Sequence, residues 1–273
     1  MLEPFCRRGF LMGLGAGLLV PWSATLADPS SGKLIGGDQR SNRTVWPAIK
    51  AISNVFEVGG PEPAYDYVEA LRDGRGFTVT QYGFCTYNDE VLSVIARIAG
   101  ARPATPLRHF LDWFPAPDTD LCRMPWPGFP AAWRSEAAQS PVLAQACEAE
   151  AEIRIVGPSE KFARQFSIRT AIGLSIFYDT VLQHGLGQDD DSFPTILGET
   201  AASVPGGSSE VGFLTRFLEV RRGVLLKAAA AETREAWRQS VSRVDALGLL
   251  LRENPDLERP VHVKSDEVDV TIS

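Results

Sequence analysis

Ala171-Ile172-Gly173-Leu174-Ser175-Ile176-Phe177-Tyr178 is apolar on nearly every side when wound as a helix. A surface helix has one apolar stripe and an opposite polar face, so a helix without a polar face has to be enclosed by other elements. The stretch predicts a central buried helix within a helical segment over residues 159–183, and hence a fold whose other elements pack around it. Downstream, helical periodicity continues near residues 208–230 and 234–252, and the tail from Val261 to Ile272 alternates like an edge strand. Upstream, the pattern is helical back to Ala131. Further back, Ile49, Ile52, Val55 and Phe56 form the apolar stripe of a helix predicted to start at Pro47, where proline is tolerated in the first turn, and to stop at Gly59-Gly60-Pro61. Residues 64–84 are rich in aromatics and threonine, with Gly74 and Gly76 forcing a turn, and read as two short strands. Asn88 or Asp89 caps a helix carrying Val91, Leu92, Ile95 and Ile98, closed by Gly100. Residues 101–130 hold many prolines and wrap the surface around a short helix at 107–114. The fold class is α+β, mainly α, with a small β element inserted early and no internal repeat.

The N-terminus stands outside this pattern. Arg7-Arg8-Gly9-Phe10-Leu11 precedes an apolar, glycine-rich run from Met12 to Val20 and then Thr25-Leu26-Ala27. A charged region, an apolar run too short to span a bilayer and small residues at a cleavage point predict a signal peptide over 1–27, and the paired arginines look like a twin-arginine signal. A polar, Gly/Ser-rich flexible leader over 28–44 and a single catalytic domain over 45–273 follow. No later segment reads as a membrane span, so the expected product is exported, either secreted or periplasmic. The whole chain carries a net charge of −7, with 27 Lys+Arg against 34 Asp+Glu. Without Glu3, Arg7 and Arg8 the balance is −8, which disfavours nucleic acid, whose phosphates demand cations, and suits a cationic substrate. Cys85, Cys122 and Cys147 remain after cleavage. Cys85 reads as a small buried apolar residue, while Cys122 and Cys147 are candidates for a bridge outside the cytoplasm. No CxxC or HExxH spacing occurs, so neither a metal site nor a cofactor is expected, and nothing points to a stable protein partner; a monomer is expected.

Chemistry concentrates between Glu57 and Asp89. In Asp73-Gly74-Arg75-Gly76-Phe77-Thr78 the glycines let the backbone turn tightly and bring Asp73 near Thr78. A carboxylate beside the Arg75 guanidinium stays ionised at mild pH, as a general base requires, and a neighbouring hydroxyl can share its water. The same six residues also suit an Asp-Gly turn with a surface ion pair. Glu57 closes a helix, where the negative end of the macrodipole disfavours ionisation, and Val55 and Phe56 add apolar surroundings. A carboxyl kept protonated is what a leaving-group acid needs, although a glutamate in a last helical turn is more often solvated.

The order Glu57, Tyr65, Asp73-Gly74-Arg75-Gly76-x-Thr78, Tyr82-Gly83-Phe84-Cys85, Asp89 resembles the family 46 chitosanases. So do Tyr178-Asp179, His184-Gly185-x-Gly187, Phe217-Leu218-Glu219-x-Arg221 and Ser242-Arg243-Val244-Asp245. The likeness runs over about residues 47–250. It implies a lysozyme-like fold of two lobes with the substrate cleft between them, and inverting endo-hydrolysis of β-1,4 links between the glucosamine units of chitosan. Carried over by position, Glu57 is the acid, Asp73 the base aided by Thr78, and Arg75 orients Asp73. Tyr67, Glu69 and Asp89 fall where the family contacts sugar. Asp179, Arg221 and Arg243 match a buried ion network supporting the acid.

The chain departs from the family at Val58 and Gly59, in the short loop between Glu57 and Tyr65, and at Ala228. Near Asp89 the loop is one residue short, so Glu90 is an alternative sugar contact and Asp89 an alternative helix cap. Asp189-Asp190-Asp191 reads as a solvated loop, and Trp113, Trp126 and Trp133 as core residues that also suit a sugar cleft. His184 beside Gly185 reads as satisfying backbone groups at a helix end; His109 and His262 carry no motif. A lysozyme-like peptidoglycan hydrolase and an inactive glycan-binding relative are the competing readings.

Overall fold

The chain is described by a computed structural model over residues 39–70, 76–86, 89–113, 126–227 and 237–273. The predicted signal peptide, Asp73, Arg75, Asn88, Cys122 and Ala228 lie outside the described residues, as does the Trp113 side chain.

Helix α1 spans Gln39–Val58, with Ile49, Ile52 and Val55 fully buried along one stripe. It starts well before Pro47, within the span expected as leader. Pro47 is exposed, so its ring disturbs no packed neighbour, although the helix loses one backbone hydrogen bond there and crowds the carbonyl four residues back. Three two-residue strands follow, β1 (Val68–Glu69), β2 (Thr78–Val79) and β3 (Phe84–Cys85), paired antiparallel in the order β1-β2-β3. The register sets Thr78 between Glu69 and Cys85. Helix α2 (Asp89–Ala101) and the 3-10 helix Arg108–Trp113 lead into α3 (Phe129–Gln139). Trp126 and Trp133 are buried core residues, the core reading of the two offered by sequence.

Helix α4 (Val142–Ala151), a π-helical turn (Glu152–Val156) and α5 (Gly157–Gln165) form one continuous rod, because the backbone stays right-handed helical at both junctions. Pro158 explains the widened turn. In an unbroken α-helix its ring would strike the carbonyl four residues back, and a π-turn makes room for it. The rod packs on α2 at one end and on the central helix α6 (Ala171–His184) at the other.

Helix α6 is buried from Ile172 to His184, as its composition requires. It is separate from α5, unlike the single segment predicted over 159–183. The break follows from Ser167, in the left-handed region at φ 56°, and from Glu210. The Glu210 carboxylate accepts from the Arg169 and Thr170 amides at 3.1 and 3.0 Å and from the Thr170 hydroxyl at 2.6 Å. Thr170 in turn caps α6 by accepting from the Gly173 amide. Helices α7 (Phe193–Ser203), α8 (Glu210–Leu226) and α9 (Val241–Glu253) complete the enclosure, with α1 on the remaining side.

The tail is a hairpin rather than one strand. β4 (Val261–Lys264) pairs with β5 (Asp269–Ile272), and Val261, Val263 and Ile272 face inward. The same alternation runs through both strands, so periodicity alone conceals the turn between them. The buried residues form a core shared by all these elements.

Candidate active site

Glu57 stands in the last turn of α1, 8% exposed. Its Oε1 accepts a hydrogen bond from Nη1 of Arg243, on α9, at 2.7 Å. The rest of the Arg243 guanidinium is engaged by Asp179 on α6: Nη2 donates to Oδ1 at 2.6 Å, and Nε lies 3.0 and 2.9 Å from the two carboxylate oxygens. Arg221, on α8, donates from Nη2 to Asp179 Oδ2 at 2.8 Å. Ser53, one turn before Glu57, donates to Asp179 Oδ1 at 2.9 Å. Four helices thus meet at one buried cluster behind Glu57, and the ion network of Asp179, Arg221 and Arg243 expected from the resemblance is assembled.

The environment of Glu57 differs from the purely apolar one expected from Val55 and Phe56. A guanidinium lies against it, although that cation is already paired with Asp179. Burial pushes the Asp179 carboxyl up, but Arg243 and Arg221 outweigh it and bring its pKa down to about 2. Burial brings the Arg221 pKa down to about 10, with Arg243 adding to the effect and Asp179 opposing it. Arg243 moves the other way. Burial would lower it, but Asp179 and Glu57 raise it above the ordinary arginine range. All three therefore stay charged over the pH range in which proteins work. A buried charge cluster of this kind holds only while every member keeps its partner.

Sequence reasoning missed three members, Ser53 among them. Gln183 accepts from Arg221 Nη2, and Arg221 Nε donates to His184 Nε2 at 3.3 Å. Because Nε2 accepts, the proton sits on Nδ1, which donates to the Asp191 carbonyl at 2.7 Å. His184 thus satisfies a backbone group, as expected, and also orients Arg221. The i, i+4 spacing of Asp179 and Gln183 was the available signal.

The second half of the site gathers on the sheet. Thr78 is 2% exposed, with its hydroxyl 3.7 Å from Cys85 Sγ. Cys85 is buried and in no disulfide, its Sγ donating to the Gly83 carbonyl at 3.3 Å, as the apolar reading has it. Across the register lies exposed Glu69, which accepts from the Tyr67 hydroxyl at 2.6 Å. Gly76 has φ +73° and leaves only 2.2 Å between an added Cβ and Thr86 Oγ1, which itself accepts from the Phe77 amide. That packing explains the second glycine of the Asp73–Thr78 motif. Asp73 and Arg75 of the same motif lie outside the described residues.

Asp89 and Glu90 separate clearly. Glu90 is buried and accepts from the Cys85 amide at 3.1 Å, so it braces β3. Asp89 is exposed and pairs with Arg154 Nη2 at 3.0 Å. Cys147 is a buried free thiol, which corrects the possible bridge to Cys122. Its place on the inner face of α4 keeps it from solvent. Among the described residues no group of three His, Cys, Asp or Glu is arranged to hold a metal ion, Asp189, Asp190 and Asp191 included. No helix among them is long and apolar enough to cross a membrane.

The sequence model of glycosyl hydrolase family 46 matches residues 51–261. A chitosanase of Bacillus subtilis (strain 168) is 34% identical over 227 residues, covering 79% of this chain and 80% of that protein. A chitosanase of Nocardioides sp. (strain N106) is 30% identical over 208 residues, covering 73% of this chain and 70% of that one. The native chitosanase of Bacillus subtilis MY002 superposes with a TM-score of 0.77 at 32% identity, over 85% of this chain and 99% of its own. The GH46 chitosanase of Gynuella sunshinyii, solved with chitotetraose, superposes with a TM-score of 0.76 at 30% identity, over 84% and 97%.

Proposed function

The chain belongs to glycosyl hydrolase family 46, and we propose that it hydrolyses chitosan with Glu57 as general acid and Asp73 as general base. It is a glycoside hydrolase with the lysozyme-like fold of the solved family 46 chitosanases, acting within the chain on β-1,4 links between glucosamine units, with inversion.

The observation that supports these roles best is the Glu57 carboxyl at a helix end, with one oxygen held by an arginine that is itself held by a buried aspartate. With Oε1 accepting from Arg243, the transferable proton belongs on Oε2. Glu57 gives that proton to the oxygen of the departing sugar. A water on the opposite face of the ring gives a proton to Asp73 and attacks the anomeric carbon, so the configuration there inverts. The two carboxyls of such a pair stand about 6.5–9.5 Å apart to leave room for the water. Arg75 keeps Asp73 ionised, and the Thr78 hydroxyl shares the water. Tyr67, Glu69 and Asp89 hold the sugar chain, and the carboxylates among them meet the ammonium groups of glucosamine. Asp89 reaches its substrate by exchanging Arg154 for an ammonium. Asp179, Arg221 and Arg243 hold Glu57 in place, and the monomeric enzyme uses no cofactor.

The test is release of reducing ends from chitosan by wild type, Glu57→Gln and Asp73→Asn. Each substitution is expected to lower turnover by roughly 10²–10⁴-fold, the usual contribution of a general acid or base. Turnover that survives both substitutions overturns the roles. NMR of the first-formed product should show the α-anomer, and a first-formed β-anomer is incompatible with Asp73 as base. Export by the twin-arginine route is supported by Arg7-Arg8 ahead of the apolar run. Replacing both arginines by lysine should strand the enzyme in the cytoplasm, and unchanged export would rule that route out.

A further inference from the structure

Glu148 lies on α4, apart from the Asp179 cluster, yet it gathers side chains from three other segments. Its Oε1 accepts from the Tyr65 hydroxyl at 2.6 Å and also from the Tyr82 hydroxyl, and its Oε2 pairs with Lys50 Nζ. Lys50 is on α1, seven residues before Glu57 and so on the same face two turns back. Tyr65 leads into β1, and Tyr82 lies in the turn between β2 and β3. In sequence the two tyrosines bracket residues 71–75, which join β1 to β2 and include Asp73.

Both tyrosines are set in a stiff frame. Trp133 Nε1 donates to the Tyr65 carbonyl at 2.9 Å, the Ala64 amide to Gln81 Oε1 at 3.2 Å, and the Thr80 amide to the Tyr67 carbonyl at 3.0 Å. One carboxylate therefore ties the helix that ends in Glu57 to the sheet that carries Thr78. Burial works against its charge, but Lys50, Tyr65 and Tyr82 together hold the Glu148 carboxyl below its usual range. Burial and the neighbouring carboxylate raise both phenols, so they remain donors. Two hydroxyls donated to one ionised oxygen make short, strong bonds.

We propose that Glu148 is a positioning residue that sets the separation between the acid-bearing helix α1 and the sheet whose β1–β2 connection carries the base. This rests on the assignment of Glu57 and Asp73 above. An inverting pair has to keep a water-sized gap between its carboxyls, and a misplacement of about 1 Å can cost on the order of a hundredfold in rate. The sheet has only two-residue strands with which to resist such a shift. The Glu148 hub supplies a direct link from α1 to the chain entering β1 and to the turn leaving β2.

The experiment compares Glu148→Gln, Glu148→Asp and Tyr65→Phe with wild type, assayed far below each unfolding midpoint. It measures kcat and KM on chitosan and the affinity for a glucosamine oligomer by calorimetry. Glu148→Gln keeps the size but loses the charge that holds Lys50, and Tyr65→Phe deletes one hydroxyl from a half-buried ring. Both should lower kcat by roughly ten- to a hundredfold with KM and oligomer affinity unchanged, and Glu148→Asp should recover part of the loss. If Glu148→Gln does not fold, Tyr65→Phe decides. Wild-type kcat in folded variants overturns the proposal, and so does a rise in KM at unchanged kcat, which would make Glu148 a substrate contact. Glu57→Gln and Asp73→Asn are run alongside. If they are inactive while the Glu148 and Tyr65 variants turn over normally, only this inference fails; if they are active, the acid and base assignment fails and this inference with it.

Discussion

His184 ends α6 with its ring edge-on to Trp237, one nitrogen accepting from Arg221 and the other donating to the Asp191 carbonyl. Burial first, and then the charge of Arg221, hold its pKa well below 6.5. A folded-state pKa below the unfolded one means that the unfolded chain binds the extra proton. The stabilisation from neutral His184 is therefore complete above the unfolded value near 6.5 and is lost as pH falls toward the folded one. Its loss can reach about 1.4 kcal/mol per pH unit. We expect urea unfolding to give a stability difference between wild type and His184→Gln that narrows as pH falls below 6.5. A constant difference across that range would mean that His184 is not held neutral. At this scale the sequence was only partly informative. Asp179, Arg221 and Arg243 were legible as a set through the family pattern. Ser53 and His184 were not, because a serine and a histidine gain significance only from what lies opposite them across 126 and 37 positions of chain.

Elements carry the site to its place, and their ends matter more than their middles. Glu57 stands one residue before the end of α1, and Thr78 begins β2. Gly76 precedes that strand in the left-handed region, against Thr86. Gly76→Ala should cost about 2 kcal/mol or more, combining left-handed strain with a clash that no rotamer of alanine relieves. Thermal unfolding measures it. A melting temperature equal to wild type would show that the chain entering β2 does not depend on that glycine. Most helices were legible from apolar spacing, as with Ile49, Ile52 and Val55. Their limits were less so. Proline punctuation misplaced the start of α1, since whether Pro47 faces water is a tertiary matter. The break between α5 and α6 depends on Glu210, 40 residues beyond Thr170, which no local window contains. The Val261–Ile272 alternation was visible, but a hairpin and a strand share it.

The whole molecule is a buried helix wrapped by others, with the rod of α4, the π-turn and α5 packing on α2 at one end and on α6 at the other. Its net charge of −7 sets a long-range field favourable to a polycation. We expect kcat/KM on chitosan to fall several-fold as salt rises from ~0.01 to ~0.15 M, while the Debye length shortens from ~30 to ~8 Å. A salt-independent kcat/KM would show that charge steering plays no part. The sequence by itself determined the helical class, the buried central helix and the family, since each is written in local spacing or in an ordered motif. The tertiary structure alone decided which charges neutralise one another, that Glu90 braces β3 while Asp89 faces solvent, and that Glu148 joins α1 to the sheet. The reason is physical. Apolar periodicity is a property of one segment, whereas a buried charge is tolerable only beside a partner that the fold brings from elsewhere.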